Sequence, residues 1–463
     1  MFDPKVYSKR RNTLRNKIES GLLLFPGNEE SPMNYPANTF HYRQDSNFLY
    51  FFGIDAPGMF GMCDIDEGKD TLYGDDFGID DIIWMGDQES MKSRAEKVGI
   101  KSVKPASSIG PDILEAIKKG RKIHILPPYR AETKIYLKNL LNVQLEEVDN
   151  FISLDFIKAV VSLREIKDEL EVQQIEFAVD IAYKMHTTAM KMAFPGTWER
   201  EVAGMVEGVS LAHGNPVSFP VILSMDGQTL HNHYHGNLLK EGRLMVTDAG
   251  SESPLHYASD ITRTVPVGGK FDQRQKEIYS IVLKANNAAI KASAPGVLNR
   301  DVHLLAAEII ASGLKDLGIM KGDVKEAVKS GAHALFFPHG LGHAMGLDVH
   351  DMEGLGENNV GYNEKVKRSD QFGTAYLRFG KEHEVGMVLT VEPGLYFIPA
   401  LIDLWKSENK FTEFINYDKV NSYKDFGGVR IEDDILITKD GCRVLGKPIP
   451  KSIEEVENMM NQG

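Results

Sequence analysis

Thiols are scarce in this sequence. Of 463 residues only Cys63 and Cys442 are cysteine, far apart and in no metal-type spacing. A disulfide framework is excluded as the source of stability, and the count suits a reducing compartment. Long apolar runs are missing as well. No window of about 18 uncharged apolar residues is present to cross a bilayer. The opening run Met-Phe-Asp-Pro-Lys-Val-Tyr-Ser-Lys-Arg-Arg has no apolar stretch of a secretory signal. The expectation is a cytoplasmic protein with no membrane partner. A basic surplus is also lacking: 53 Lys and Arg face 66 Asp and Glu, a net charge of −13. A nucleic-acid partner, which calls for a basic face, is therefore not expected. What remains is an ordinary globular composition, 42% apolar and 26% charged, on a chain too long for one typical core. Two or three domains are expected.

Residues 1–160 read as an N-terminal α/β domain. Apolar runs at Gly21–Phe25, Phe48–Gly53 and Lys122–Leu126 predict strands, and a helix is expected near Tyr7–Ile18. The polar stretch His41-Tyr-Arg-Gln-Asp-Ser46 reads equally as a solvated lead-in to a strand or as a functional segment. Asp75–Asp81 reads as an acidic turn. Ser162-Leu-Arg-Glu165 fits a capping box, with Ser as N-cap and Glu three residues on. Ile166, Leu170, Ile175, Ala178 and Ala182 then recur at helical spacing, so a long helix is expected to open a second domain, residues 161–463.

That second part repeats itself. Ala189-Met-Lys-Met-Ala-Phe-Pro-Gly196 is echoed by Ala289-Ile-Lys-Ala-Ser-Ala-Pro-Gly296, and Arg200 and Val202 by Arg300 and Val302. Gly242-Arg-Leu-Met-Val-Thr-Asp248-Ala-Gly250 aligns with Gly386-Met-Val-Leu-Thr-Val-Glu392-Pro-Gly394. Each copy then supplies a further acidic strand, one around Asp260 and one around Glu432. A carboxylate inside an apolar, β-branched strand is costly to bury unless it is paired or bound to metal. Asp433 and Asp434, beside Glu432, read as surface charges.

Between the second Pro-Gly and Glu392 runs Phe-Pro-His339-Gly-Leu-Gly-His343-Ala-Met-Gly-Leu-Asp-Val-His350-Asp. Gly340 and Gly342 argue against a helix, at about 1 kcal/mol each. A loop or strand end that brings imidazoles to the carboxylates is expected. Four converging carboxylates repel one another unless cations neutralise them. Oxygen-rich ligation with one imidazole suits two divalent ions, Mn²⁺, Co²⁺, Fe²⁺ or Zn²⁺. His343, with no acidic counterpart in the first copy, is the candidate nitrogen ligand. A metal pair is a hydrolase design, supplying nucleophile, Lewis acid and template together. His231, His339 and His350 are available to the substrate, and Arg430, on the face of Glu432, to orient that carboxylate.

Asp248-Ala-Gly250, Ser259-Asp-Ile-Thr-Arg263, His339-Gly-Leu-Gly-His343, Asp348-Val-His350-Asp351, Thr390-Val-Glu-Pro-Gly394 and Val429-Arg-Ile-Glu-Asp433 together resemble the aminopeptidase P and prolidase metallopeptidases. The likeness extends from Tyr42-Arg-Gln to Glu432, nearly the whole chain. It implies an α/β N-terminal domain followed by an α+β "pita-bread" domain with an internal pseudo-two-fold repeat. It also implies that Asp248, Asp260, His343, Glu392 and Glu432 hold two metal ions, manganese first, and that His231, His339, His350 and Arg430 serve the substrate or proton transfer. In that scheme Glu392 is the base, His350 meets the oxyanion and His339 protonates the proline nitrogen. One departure is a spacing between Asp248 and Asp260 one residue longer than usual, which Ser253-Pro254 is expected to absorb in a turn.

The chemistry implied is hydrolysis of the bond before proline in short peptides, by a homodimer or larger assembly. Long segments at 352–385 and 397–426 resemble insertions of the larger prolidases, in which Arg378 stands where an arginine binds the dipeptide carboxylate. An Xaa-Pro aminopeptidase is the leading expectation, an Xaa-Pro dipeptidase the runner-up. A non-catalytic scaffold of the same fold is the remote alternative, and it would bind no stoichiometric metal pair.

Overall fold

The computed structural model describes residues 1–462. They form two compact units: Met1–Arg164 with Met352–Asn359, and Glu165–Asp351 with Val360 onward.

The first unit is built on a mixed five-stranded sheet of β1 (Leu22–Pro26), β2 (Phe60–Asp64), β3 (Lys69–Tyr73), β4 (Ser102–Lys104) and β5 (Ile123–His124), in the order β4-β3-β2-β1-β5. β1, β2 and β3 pair antiparallel, and β4 and β5 join parallel at the two edges. Its helices are α1 (Pro4–Arg15), α2 (Ser46–Phe52), α3 (Ile79–Met85), α4 (Met91–Lys97), α5 (Ile109–Lys118), α6 (Ala131–Leu141) and α7 (Leu154–Arg164). Leu22, Leu24, Phe60 and Met62 on the sheet pack with Ile109, Ile113, Leu137 and Leu141 of α5 and α6. Each such buried side chain is worth about 1.5–3 kcal/mol.

Two expectations are corrected here. Phe48–Gly53 is not a strand but most of α2. Asp45 caps it by accepting from Phe48 N–H at 2.9 Å, and Gly53 ends it in the left-handed conformation. Phe48, Phe51 and Phe52 are all fully buried, with Phe48 stacked on Phe52 at helical spacing. A run that is apolar on every side carries no period, so cap and terminator decide it. The polar stretch 41–46 thus leads into a helix. Ser162 is likewise no N-cap. It lies inside α7, its hydroxyl donating back to Ala159 O. The box that starts the long helix is Asp168 with Glu171, six residues later, where both reciprocal bonds form. Asp81 caps α3, so the acidic segment before it is partly helical.

The second unit carries the repeat. α8 (Glu169–Met192) and α9 (Glu199–His213) are followed by β6 (Ile222–Ser224), β7 (Leu244–Asp248) and β8 (Thr262–Pro266), an antiparallel sheet in that order. α10 (Gln273–Ala292) and α11 (Asn299–Asp316) are followed by β9 (Val388–Val391), β10 (Gly394–Tyr396), β11 (Gly428–Arg430), β12 (Asp433–Thr438) and β13 (Gly441–Val444). β12 pairs antiparallel with both β9 and β13, and β10 with β11. Each helix pair breaks at its Pro-Gly, and the chain after the second helix returns to the same place. Gly196 and Glu199 N–H donate to Leu239 and Asn237 O, and Gly296 and Asn299 N–H to His383 and Lys381 O. One core joins both halves: Met185, Ala189, Val202 and Val206 from the first, Ala285, Ala289, Val302 and Ile310 from the second, with Met245, Val265, Leu389 and Ile435 on the strands.

Candidate metal centre

Only one of the four singled-out carboxylates lies within a strand. Asp248 is the last residue of β7. Asp260 precedes β8, Glu392 lies between β9 and β10, and Glu432 between β11 and β12. Strand ends can turn a side chain into a cavity while the ladder beside it stays paired. The longer Asp248–Asp260 link closes through a turn in which Glu252 bridges Ala258 and Ser253 Oγ accepts from Leu255 N–H. The two halves lock where the acids meet. Glu432 N–H donates to Thr262 O at 3.1 Å, Asp260 N–H donates to Asp434 Oδ2 at 3.1 Å, and Thr262 Oγ1 donates to Glu432 Oε2 at 2.8 Å.

The histidine stretch is extended, as the glycines imply. Thr390 N–H donates to His343 O and Glu392 N–H to Leu341 O, so the stretch lies along β9. Gly342 has no alternative there: a Cβ would stand 2.0 Å from Thr390 O. His343 Nδ1 faces Ala344 O at 3.1 Å and therefore carries the proton. Its Nε2, left as a lone pair, points at Asp260 Oδ2 at 3.3 Å and Glu392 Oε1 at 3.8 Å. Ligand atoms of Asp260, His343 and Glu432 fall within 4.8 Å of one another, close enough to hold one ion.

The electrostatics ask for such an ion. Asp248 Oδ1 and Asp260 Oδ1 are buried and meet no donor, a cost of about 1–3 kcal/mol for each unsatisfied group and more for a charge. Burial, then the neighbouring carboxylates, holds Asp260 and Glu432 well above the usual carboxylate range. Glu392 is pushed up to about 8, chiefly by burial. Burial keeps His343 far below the ordinary imidazole value, hence neutral. Anionic oxygens crowded against a neutral imidazole, with no lysine or arginine ion-paired to Asp260, Glu392 or Glu432 among the described residues, fit a divalent cation.

Arg430 is buried, but it does not orient Glu432 as the shared strand face suggested. Its guanidinium donates to Asp248 Oδ2 at 2.6 Å, to Thr262 Oγ1 at 3.0 Å and to Tyr396 Oη at 2.9 Å. Thr262 holds Glu432 instead. Asp433 and Asp434 are no surface charges either. Asp433 takes Arg263 at 2.7 Å and Lys451 at 2.6 Å, which keep its carboxyl below the usual value despite burial. Asp434 is fully buried and accepts from Asp260 N–H.

A cavity of about 470 Å³ opens over this wall, bounded also by His231, His233, His339, Val349, His350, Tyr376 and Arg378, with an apolar side from Phe219, Pro220 and Ile222. Every expected site residue faces it. His350 stands with its ring centroid 4.1 Å from that of His343. His339 has both nitrogens engaged: Nδ1–H to Gly340 O at 2.8 Å, and Nε2 accepting from Tyr396 Oη at 2.9 Å. Burial holds its pKa down to about 3. Tyr396, Thr262, Phe219 and Pro220 were missed, because single tyrosines, threonines and apolar residues carry no spacing that singles them out.

Fold and site together define a metallopeptidase. Residues 173–439 match metallopeptidase family M24, and residues 7–126 match the aminopeptidase P N-terminal domain. The chain belongs to family M24 and is a hydrolase of that class. It is 33% identical to a probable Xaa-Pro aminopeptidase of Sordaria macrospora, over 97% of this chain and 94% of that protein. It is 30% identical to the Xaa-Pro dipeptidase of Homo sapiens, over 96% and 89%. Among solved structures it matches Escherichia coli aminopeptidase P with the inhibitor Pro-Leu at a TM-score of 0.81, 29% identity, and 99% and 98% coverage. The Pseudomonas aeruginosa aminopeptidase PepP matches at 0.82 and 28% identity, with the same coverage. Among the described residues no helix is long and apolar enough to cross a membrane.

Proposed function

We propose that this chain is an Xaa-Pro aminopeptidase, releasing the N-terminal residue of short peptides whose second residue is proline. The observation that carries the reading is the single cavity wall on which Asp248, Asp260, His343, Glu392 and Glu432 meet. We assign these five to two divalent cations, manganese first. Such ions supply Lewis acidity and a nucleophile at neutral pH.

The remaining steps belong to the protein. Glu392, on the same cavity beside His343 and His339, is the carboxylate placed to take up and return a proton at its Oε atoms. His350, beside His343, can donate to the scissile carbonyl oxygen as charge develops there. Arg430 fixes Asp248 and keeps Tyr396 turned toward His339. His339, held by Gly340 O and Tyr396 Oη, and His231 face the same cavity and are available to the substrate or to proton transfer. A proline nitrogen offers no N–H to grip, so recognition falls to shape. Phe219, Pro220 and Ile222 supply an apolar side on which the prolyl ring can lie.

The second reading is an Xaa-Pro dipeptidase, favoured by Arg378 on the same cavity and by the 30% identical dipeptidase. The test compares kcat/KM for Ala-Pro-Ala and Ala-Pro on manganese-loaded protein. Preference for the tripeptide, unaffected in direction by Arg378→Ala, is expected. Preference for Ala-Pro that disappears in Arg378→Ala makes the chain a dipeptidase, and cleavage of neither with no metal bound leaves a scaffold. The same proposal includes domains at 1–160 and 161–463, a cytoplasmic setting and a homodimer or larger assembly, the last measurable by sedimentation.

A further inference from the structure

Lys167 lies outside the cavity, and no step above uses it. It is nonetheless an ammonium sealed from water. Its Nζ donates to Asp351 Oδ2 at 2.9 Å, with side-chain exposures of 2% and 1% for the two partners. Taking two charges that far from solvent is expensive and is repaid only by close, fixed geometry.

What surrounds the pair ties it to the site. Asp351 directly follows His350. Its N–H donates to Ala344 O at 2.8 Å and its Oδ1 accepts from Asp348 N–H at 3.4 Å, so it closes the turn that leaves His343 and returns at His350. Within the turn Gly346 donates to Asp348 O at 3.0 Å. A Cβ on Gly346 would stand 2.6 Å from Asp351 Oδ2 and 3.0 Å from Lys167 Cε, so the turn is pressed directly against the ion pair. Lys167 N–H donates to Gly386 O at 2.9 Å, just ahead of β9. His343 has its own anchor, since its N–H donates to Thr390 Oγ1 at 3.1 Å and its carbonyl accepts from Thr390 N–H at 3.0 Å. His350 lies on the side of the turn that the ion pair closes.

We infer that Lys167 is a positioning residue: through Asp351 it clamps the 344–351 turn and sets where His350 stands relative to His343. This rests on the reading that His350 serves the substrate. Because His343 is held separately by Thr390, loosening the clamp displaces His350 while the ligand set stays in place. The expected signature is a fall in kcat at full metal content with KM little changed, which a general loss of stability does not produce.

The test uses full-length Lys167→Met/Asp351→Asn, which removes both charges of the pair together; Asn keeps an acceptor for Asp348 N–H. Manganese content should equal that of the parent protein. On Ala-Pro-Ala, kcat per bound metal should fall about tenfold or more, with KM within about threefold. Amide deuterium exchange across 344–351 in the metal-free protein should rise. A folded double variant whose exchange, or whose kcat per bound metal, matches the parent overturns the clamp. If the double variant does not fold, Gly346→Ala, whose Cβ presses on the same pair, is judged by the same criteria. If the parent protein cleaves no Xaa-Pro peptide, the functional reading fails, and the exchange measurement alone decides the clamp.

Discussion

The two halves of the second unit follow one plan with different side chains. At position 186 on α8 a buried histidine donates from Nε2 to Ala249 O, beside Asp248. At the matching position 286 on α10 a buried asparagine donates to Val391 O, beside Glu392. Glu199 opens α9 and binds Met225 N–H, while Asn299 opens α11 and binds Phe379 O. The repeat therefore includes the polar contacts that brace each acidic strand. The halves part company between the second helix and the returning segment. In the first half that stretch carries His231 and the apolar side of the cavity. In the second it is far longer and carries His339, His343, His350 and Arg378. Equivalent strand ends present the four carboxylates, and the unequal loops present the histidines and Arg378 to the same cavity. A duplicated scaffold brings anionic oxygens together by symmetry, whereas one catalytic direction requires that symmetry to be broken.

The strongest way to break this comparison is to remove one carboxylate from each half. Asp248→Asn and Glu392→Gln should each lower kcat/KM by about 10³-fold or more, since the Lewis-acid contribution is worth several kcal/mol. Metal content measured by emission spectrometry should fall in both. Full activity in either variant would mean that only one half builds the site.

A smaller effect tests how the halves are joined. Arg263 of β8 donates to Glu432 O at 2.6 Å and to Asp433 Oδ1 at 2.7 Å. Arg263→Met leaves a buried carboxylate short of a partner, at about 3–5 kcal/mol. The urea midpoint should drop accordingly, and an unchanged midpoint would show that the lock contributes nothing.

The smallest effect concerns an asymmetry of the second half. His303 on α11 and His333 are buried with their ring centroids 6.3 Å apart, and burial holds their pKa values down to about 3 and about 4. In the unfolded chain both take up protons below about 6.5. The stability they permit is thus present above that pH and is lost as pH falls toward 4. The melting temperature should decline over that window, and His303→Phe should flatten the decline. A slope unchanged by the substitution would clear His303 of any part in it.

Much of the site was legible because its chemistry is local in the chain. Asp-Ala-Gly, His-Gly-Leu-Gly-His and Val-Glu-Pro-Gly each place a donor beside residues that fix its backbone, and the echo of Pro-Gly and strand repeats in order. The helix over 46–52 was not legible, because a wholly buried run has no polar side to betray its period. Asp433 and Asp434 were misread for a related reason: their partners Arg263, Lys451 and Asp260 N–H are distant in sequence. Likewise the partner of Arg430 proved to be Asp248, on another strand, and not the glutamate two residues away. Thus the sequence by itself determined the candidate donor types, their order and the duplicated scaffold, since these follow from short-range pattern and donor chemistry. Which buried charge meets which, which histidine nitrogen is free, and where Lys167 finds Asp351 were decided only by the tertiary structure. Burial makes pairing obligatory, but only the packing of distant segments chooses the partner.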